Sequence, residues 1–411
     1  MAPSMRARVA IVFVALIPVI GSASGDSFTE SDAIDLFLEA SPQARQVPAI
    51  ERSANAANRV EAPVANPEIG YLMEDSAGVR EEFLTYQQRL PITGRRGLIR
   101  DSADSAGSAA RLAAERDLWA AASRVREAFY EVLYQERVFD RRRQGEEHLQ
   151  HVVDILAKRE HEGEGSGYDL LRAEQELAQF EIATSTAEAE LAVARSRFGS
   201  FFDSGRKMES AHLEGDLHPT EMLPEPDEAI RRALSQRADL RALRAEAQSL
   251  DLGHKAARRR RYPEPTLIAG WKRAEALGLV DNGFVAGLTV PLPIFDRGKP
   301  NAARAEADLE RAELEIELRE REIRGEVQAA LARERAARRV ADRHGEEILL
   351  RAGELRRIAE LAYEEGEAGI LELLDAYRTS LATELRGLAV RYEAKRAEID
   401  RDRAIGVEVN R

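Results

Sequence analysis

Tyr363-Glu364-Glu365-Gly366-Glu367-Ala368-Gly369-Ile370-Leu371-Glu372-Leu373-Leu374-Asp375-Ala376 is where one long helical pattern stops and another starts. Two glycines interrupt the pattern, so the stretch reads as a sharp turn between antiparallel helices. A cruder copy occupies residues 159–173, with Gly163, Gly165, Gly167, Leu170, Leu171 and Ala173. Gly366, Leu374 and Ala376 each stand 203 residues after Gly163, Leu171 and Ala173. A constant offset marks a tandem duplication, and the rest of the chain is best read as two copies of one unit.

Outward from the tips, each copy shows the same order. Residues 26–40 form an amphipathic helix with Thr29 or Ser31 as cap and Pro42 as stop; its counterpart begins at Asp227. Helical pattern runs on to about Val60 and Arg261, and then each copy reaches a proline, Pro67 or Pro263. Period-two segments follow. Ile69, Tyr71 and Met73, a turn at residues 75–78, and Leu84, Tyr86, Gln88 and Leu90 make one hairpin. Leu267, Ala269 and Trp271, a turn at Asp281-Asn282-Gly283, and Phe284, Ala286, Leu288, Val290 and Leu292 make the other. Both end on Leu-Pro-Ile, at Pro91 and Pro293. The offset grows from 196 at the first prolines to 202 here, which predicts a longer outer loop in the second hairpin.

Very long helices come next, over about 97–162 and 299–365, since no proline occurs from Ile92 to Leu217 or after Asn301. Roughly 65 residues at 1.5 Å each span about 100 Å. Leu309, Ile316, Ile323, Ala330 and Ala337, then Ala341, Ile348, Leu355 and Ala362, form heptads with one stutter, as in coiled coils. The resulting division is 1–24 signal peptide, 25–198 first repeat with hairpin 67–90 and tip 163–171, 199–226 linker, 227–405 second repeat with hairpin 265–292 and tip 366–374, and 406–411 tail. The signal peptide rests on Arg6 and Arg8, the apolar run 9–20 and the small residues 21–24.

Bulk composition agrees. Charged residues are 32% and aromatics 6%, the profile of long helices. A net charge of −13 excludes nucleic acid as a partner. With no cysteine there is no disulfide or thiolate chemistry, and no pairing of nucleophile and base stands out, so an enzyme is not expected, nor a cofactor. No mature segment is apolar enough to cross a membrane as a helix, which leaves strands for that task. Two hairpins cannot close a barrel, but three chains of four strands make a closed barrel of twelve.

The duplicated order of helix, hairpin, Leu-Pro-Ile, very long helix, glycine tip and returning helix resembles the outer membrane efflux protein family, of which TolC is a member, over residues 28–405. The most specific pieces are Tyr363-x-x-Gly366 before Leu373-Leu374-Asp375-Ala376, the junction 290–298, and Arg237-Ala238-Asp239-Leu240, where the family usually has proline second. The junction is similar to the branch that exports metal cations. The resemblance implies a mainly α fold with a small β part: a long coiled-coil α-barrel in the periplasm, and four strands per chain in a homotrimeric twelve-stranded outer-membrane β-barrel, surrounded by lipid. It implies a passive export duct for metal cations or small toxic compounds, with a periplasmic adaptor docking at the tips and an inner-membrane pump, of the resistance-nodulation-division type or another, supplying energy. A type I protein-secretion duct and a pore-free coiled-coil scaffold are the alternatives.

Gly163, Gly167, Leu170, Leu171, Tyr363, Gly366, Gly369, Leu373 and Leu374 are thereby candidates for adaptor docking. Glu372 and Asp375 share a helix face, and in a trimer they supply an acidic ring that matches the family's gate; Asp169 is the counterpart of Glu372. Arg172 is placed to pair with Asp375 across neighbouring tips, and Gly165 and Gly167 are expected to loosen the first tip. His148 and His151 beside Glu146 and Glu147 share a helix face, but polar helix surface explains them better than a metal site. Arg258 to Arg261 suit a membrane rim, and Tyr71, Tyr86, Trp271 and Phe284 suit the membrane interface.

Overall fold

The computed structural model describes residues 27–59, 63–202, 211–219, 221–344 and 347–407. The segment 1–24 expected to be a signal peptide and the end of the expected tail lie outside them. The first repeat runs α1 (Glu30–Ala40), α2 (Pro42–Asn58), β1 (Glu68–Ser76), β2 (Val79–Arg89), α3 (Arg95–His161) and α4 (Gly167–Gly199). The second runs α5 (Pro226–Gln236), α6 (Ala238–Arg258), a 3-10 turn (Arg259–Arg261), β3 (Thr266–Ala276), β4 (Leu279–Thr289), α7 (Lys299–His344), α8 (Glu347–Glu364) and α9 (Ile370–Ile405). Thr29 caps α1 in a reciprocal box with Asp32, and Ser41 caps α2. Helix α3 has 67 residues, long enough to span about 100 Å.

The four strands form one antiparallel sheet in the order β1-β2-β3-β4, leaving β1 and β4 as open edges. Below them α2, α3, α6 and α7 pack side by side in the same order, so each hairpin continues into its own helix pair. Both hairpins turn on two residues with positive φ, Ala77-Gly78 and Leu277-Gly278. That geometry matches the twist of the flanking strands.

The second turn corrects the sequence expectation, because Asp281, Asn282 and Gly283 lie inside β4. A two-residue turn at Asn282-Gly283 would carry Pro291 and Pro293 into the ladder, where they have no N–H to donate. The longer outer loop is likewise absent. The extra residues of the second copy lie in the lead-in to β3, in β3 itself with 11 residues against 9 in β1, and in the exit before Pro293.

Among the described residues three apolar clusters hold the helices. One joins Phe37, Phe129, Phe198 and Ile399 with Leu213 and Leu217, so the segment between the repeats is docked; Phe28 forms a parallel bridge with Leu213. A second lies at the tips. The third packs Ile230 and Leu240 on Ile323, Val327 and Leu331 of α7. Ile323, Ala330 and Ala341 of the heptad stripe are buried, whereas Leu355 is exposed in the single chain.

The Arg-Ala-Asp-Leu motif has a structural reason. The Asp239 carboxylate accepts from Arg237 Nη2 (2.8 Å), Arg319 Nη2 (2.8 Å) and its neighbour's backbone, Leu240 N (2.9 Å). Arg237 Nη1 also donates to the Ala404 carbonyl (3.0 Å), so the motif ties the start of α6 to α7 and α9. Burial opposes the charge of Asp239, but the two arginines hold its pKa below the usual range. Asp239→Ala is therefore expected to cost about 2–3 kcal/mol in denaturant unfolding at neutral pH. Because the folded pKa is depressed, the deficit is full above the unfolded pKa and fades as pH falls through the folded one.

Candidate functional site at the paired helical tips

The two tips use one device. At the end of α3, Gly163 takes φ +76°, its N–H bonds the Glu160 carbonyl (3.0 Å) and Glu164 N bonds the Arg159 carbonyl (2.9 Å). At the end of α8, Gly366 takes φ +75°, with Gly366 N to Tyr363 O (3.1 Å) and Glu367 N to Ala362 O (2.8 Å). A left-handed residue is needed to reverse the chain there, which is the reason for glycine. The first tip is tighter than its glycines suggest. A Cβ on Gly165 would fall 2.8 Å from Glu160 N, so Gly165 permits close packing rather than looseness. Gly167 starts α4, and Gly369 precedes α9 with its N–H donating to Glu372 Oε2 (3.0 Å).

The tips pack on each other through Leu149, Leu156, Leu177, Phe180, Ile370 and Tyr377. Leu373 and Leu374 belong to this core, at 2% and 5% exposure, so neither side chain is available to a docking partner as the sequence suggested. Leu170 and Tyr363 are half-buried against the same core, while Leu171 is exposed at 64%. Tyr168 and Leu371, which sequence reasoning passed over, are exposed beside it. Only their position next to the glycines could have marked them.

Asp169 and Glu372 face one cleft between the tips, together with Arg159, Glu164 and Tyr363. Burial and the nearby Asp169 charge push the Tyr363 phenol up. Asp375 lies outside the cleft and is exposed, near Arg378. Arg378 of α9 grips the buried carboxylate of Glu176 in α4 with both ends of its fork. Tyr377 donates to Glu360 of α8 (2.6 Å), and Arg356 reaches both Glu360 and His148 of α3. These ties lace all four helices just behind the tips. They also occupy His148, and Glu147 faces Arg143, so the pair His148 and His151 stands on polar helix surface. Within the chain Arg172 lies over the Tyr168 ring.

A second constellation, unseen in the sequence, lies far from the tips. Arg401 is buried between Glu334, Asp402 and Glu221, with Arg126, Arg338, Lys395 and Glu398 around it. Near the sheet, Thr93 donates to Glu264 (2.9 Å) and Arg259 donates to the Thr93 carbonyl (2.9 Å), so the exit of the first hairpin touches the lead-in to the second. Among the described residues no group of three or more His, Asp or Glu side chains is arranged to hold a metal ion, and no helix is long and apolar enough to cross a membrane.

The family model of outer membrane efflux proteins matches residues 229–407, the whole second repeat. Over that stretch the chain is similar to outer membrane efflux proteins. Proteins of that family are outer-membrane transport ducts with a periplasmic helical tunnel. Among curated relatives it is 25% identical, over 84% of its own length and 81% of the other, to the cobalt-zinc-cadmium resistance protein CzcC of Cupriavidus metallidurans. Among solved structures, a membrane protein from Pseudomonas aeruginosa superposes with a TM-score of 0.73 at 21% identity, covering 99% of this chain and 100% of that one. The channel protein CusC gives 0.70 at 16% identity, covering 94% and 95%. The chain therefore shares the fold of these two membrane proteins.

Proposed function

We propose that this protein is an outer membrane efflux protein, the homotrimeric channel-tunnel of a tripartite export system, and that its cargo is metal cations. The observation that carries the trimer is the pair of open edges, β1 and β4, on a sheet that one chain cannot close. Three copies give twelve strands, and the open face of α7, with Leu314 and Leu318 exposed, meets the next chain on the same side as β4. The periplasmic adaptor docks at the tips, on Tyr168, Leu171 and Leu371 around Gly163 and Gly366, and an inner-membrane pump of the resistance-nodulation-division type supplies the energy. The metal cargo is supported by the likeness to a cobalt-zinc-cadmium resistance protein. Deleting the gene in its host should lower tolerance to these cations while leaving protein secretion intact; the reverse result would assign a type I secretion duct.

Glu372, Asp169 and Asp375 give the tip end its acidic character and gate the duct. A ring of like charge favours cations and resists closure. Glu372→Gln with Asp375→Asn is expected to reduce cation-over-anion selectivity in planar bilayers. Glutamine keeps an acceptor for Gly369 N, so the start of α9 survives the exchange. Unchanged selectivity would return both residues to a solvated helix start.

A further inference from the structure

The sheet is too short an apolar belt for the membrane it enters. Register places Tyr71, Leu84, Trp271 and Phe284 in one row across the four strands on one face, and Ile69, Tyr86, Ala269 and Ala286 in the next. Leu267 and Leu288 beside Gln88 make a third row. The rows above, toward the turns, carry Glu82, Arg273 and Asn282 beside Met73, then Asp75, Arg80 and Glu275 beside Val280, so three positions in four turn polar and the belt ends there. Three rows two residues apart cover about 14 Å along the strands, whereas an outer-membrane barrel presents an apolar band of about 25 Å.

The missing height lies below the strands. Val290, Leu292, Ile294 and Phe295 continue from Leu288 as an exposed apolar run, Phe295 at 99%, and Ile92 is exposed on the other exit. This surface is continuous with the lipid-facing rows. Immediately below it the charge reverses relative to the whole acidic chain: Arg258, Arg260, Arg261, Arg297 and Lys299 are all exposed. They are brought together by close packing. A Cβ on Gly298 would fall 2.9 Å from Arg260 Cβ, and φ +71° at Gly298 lets residues 296–298 fold against the arginine turn. Asp296 is engaged by Gly298 N (2.8 Å) and Glu264 by Thr93.

We infer that the hairpin exits form a binding surface for anionic phospholipid of the inner leaflet of the outer membrane, with acyl chains on Leu292, Ile294, Phe295 and Ile92 and phosphates on the arginines. The inference rests on the barrel reading and adds its lower boundary and its lipid preference. Basic groups at a lipid surface favour anionic headgroups by a few-fold each.

The chain has no cysteine, so single labels are clean. In the full-length trimer in vesicles, nitroxides on Phe284→Cys and Phe295→Cys are compared for oxygen and nickel accessibility. Both are expected to favour oxygen, as in the acyl region. A label at 295 open to nickel while that at 284 stays in lipid overturns the inference; both open to nickel overturns the barrel itself. Association of spin-labelled phosphatidylglycerol relative to phosphatidylcholine is expected to be at least roughly fivefold, and to approach one in the Arg258→Gln, Arg260→Gln, Arg261→Gln, Arg297→Gln variant. Equal association of both lipids with the unmodified trimer, or an unchanged preference in the variant with its trimer intact, overturns the headgroup assignment.

Discussion

Arg401→Met is expected to destabilise the helical region by about 3–5 kcal/mol, the cost of removing one partner from a buried ion pair. The Arg401 side chain is 2% exposed, and it touches Glu334 (3.4 Å), Glu221 (2.8 Å) and Asp402 (2.5 Å). Methionine fills the space but leaves these carboxylates facing each other. Some compensation survives, since Arg338 still reaches Glu334 and Arg126 still reaches Asp402, which favours the lower end of the range.

The pH dependence has a sign that separates charge from packing. Burial drives the pKa of Glu334 up despite Arg401 and Arg338, so losing Arg401 raises it further. The deficit of the variant should therefore shrink as pH falls and Glu334 takes a proton. Glu398 behaves oppositely: burial is outweighed by Lys395, its pKa is depressed, and its contribution disappears as pH falls through that value. Denaturant unfolding followed by circular dichroism, with Arg401→Met and Arg401→Met/Glu334→Met side by side, checks this. The double variant should recover part of the loss; a single-variant loss below about 1 kcal/mol would show that the cluster is solvated.

What could be read from the sequence is what rests on period and punctuation. The duplication, the hairpins and the helix lengths follow from alternation, from proline, and from glycines such as Gly163 and Gly366 that only a chain reversal explains. The second turn was misplaced because Asn282-Gly283 outranks Leu277-Gly278 by local preference, while the prolines downstream decide the register. The cluster around Arg401 was invisible for another reason. Arg126 and Asp402 are 276 residues apart, and in a chain that is 32% charged one buried arginine looks like any solvated one. At the tips the doublet Leu373-Leu374 was found, but its burial depends on the neighbouring tip, which a single helical pattern does not contain. The same limit applies to Arg378 and Glu176, whose pairing joins the two repeats.

Ala269→Arg should prevent stable insertion of the barrel, while Ile268→Arg next to it should insert and alter conductance. Adjacent residues on β3 point to opposite faces. Ala269 stands between Tyr86 and Ala286 in the middle of the apolar belt, bounded above by Glu82 and Arg273 and below by the exits at Leu292 and Phe295. An arginine at such a height costs about 2–4 kcal/mol per chain, and a trimer carries it three times. Ile268 faces the other way, between Gln87 and Gly287, on the side that also carries Lys272, Glu81 and Thr85. In the proposed trimeric barrel that side is the lumen, where charge is hydrated and the small Gly70, Gly270 and Gly287 leave room. Trimer yield in the outer membrane and urea unfolding from vesicles measure the first effect, and single-channel conductance the second. Equal behaviour of the two variants would mean that the sheet does not divide lipid from water, and the duct would lose its barrel.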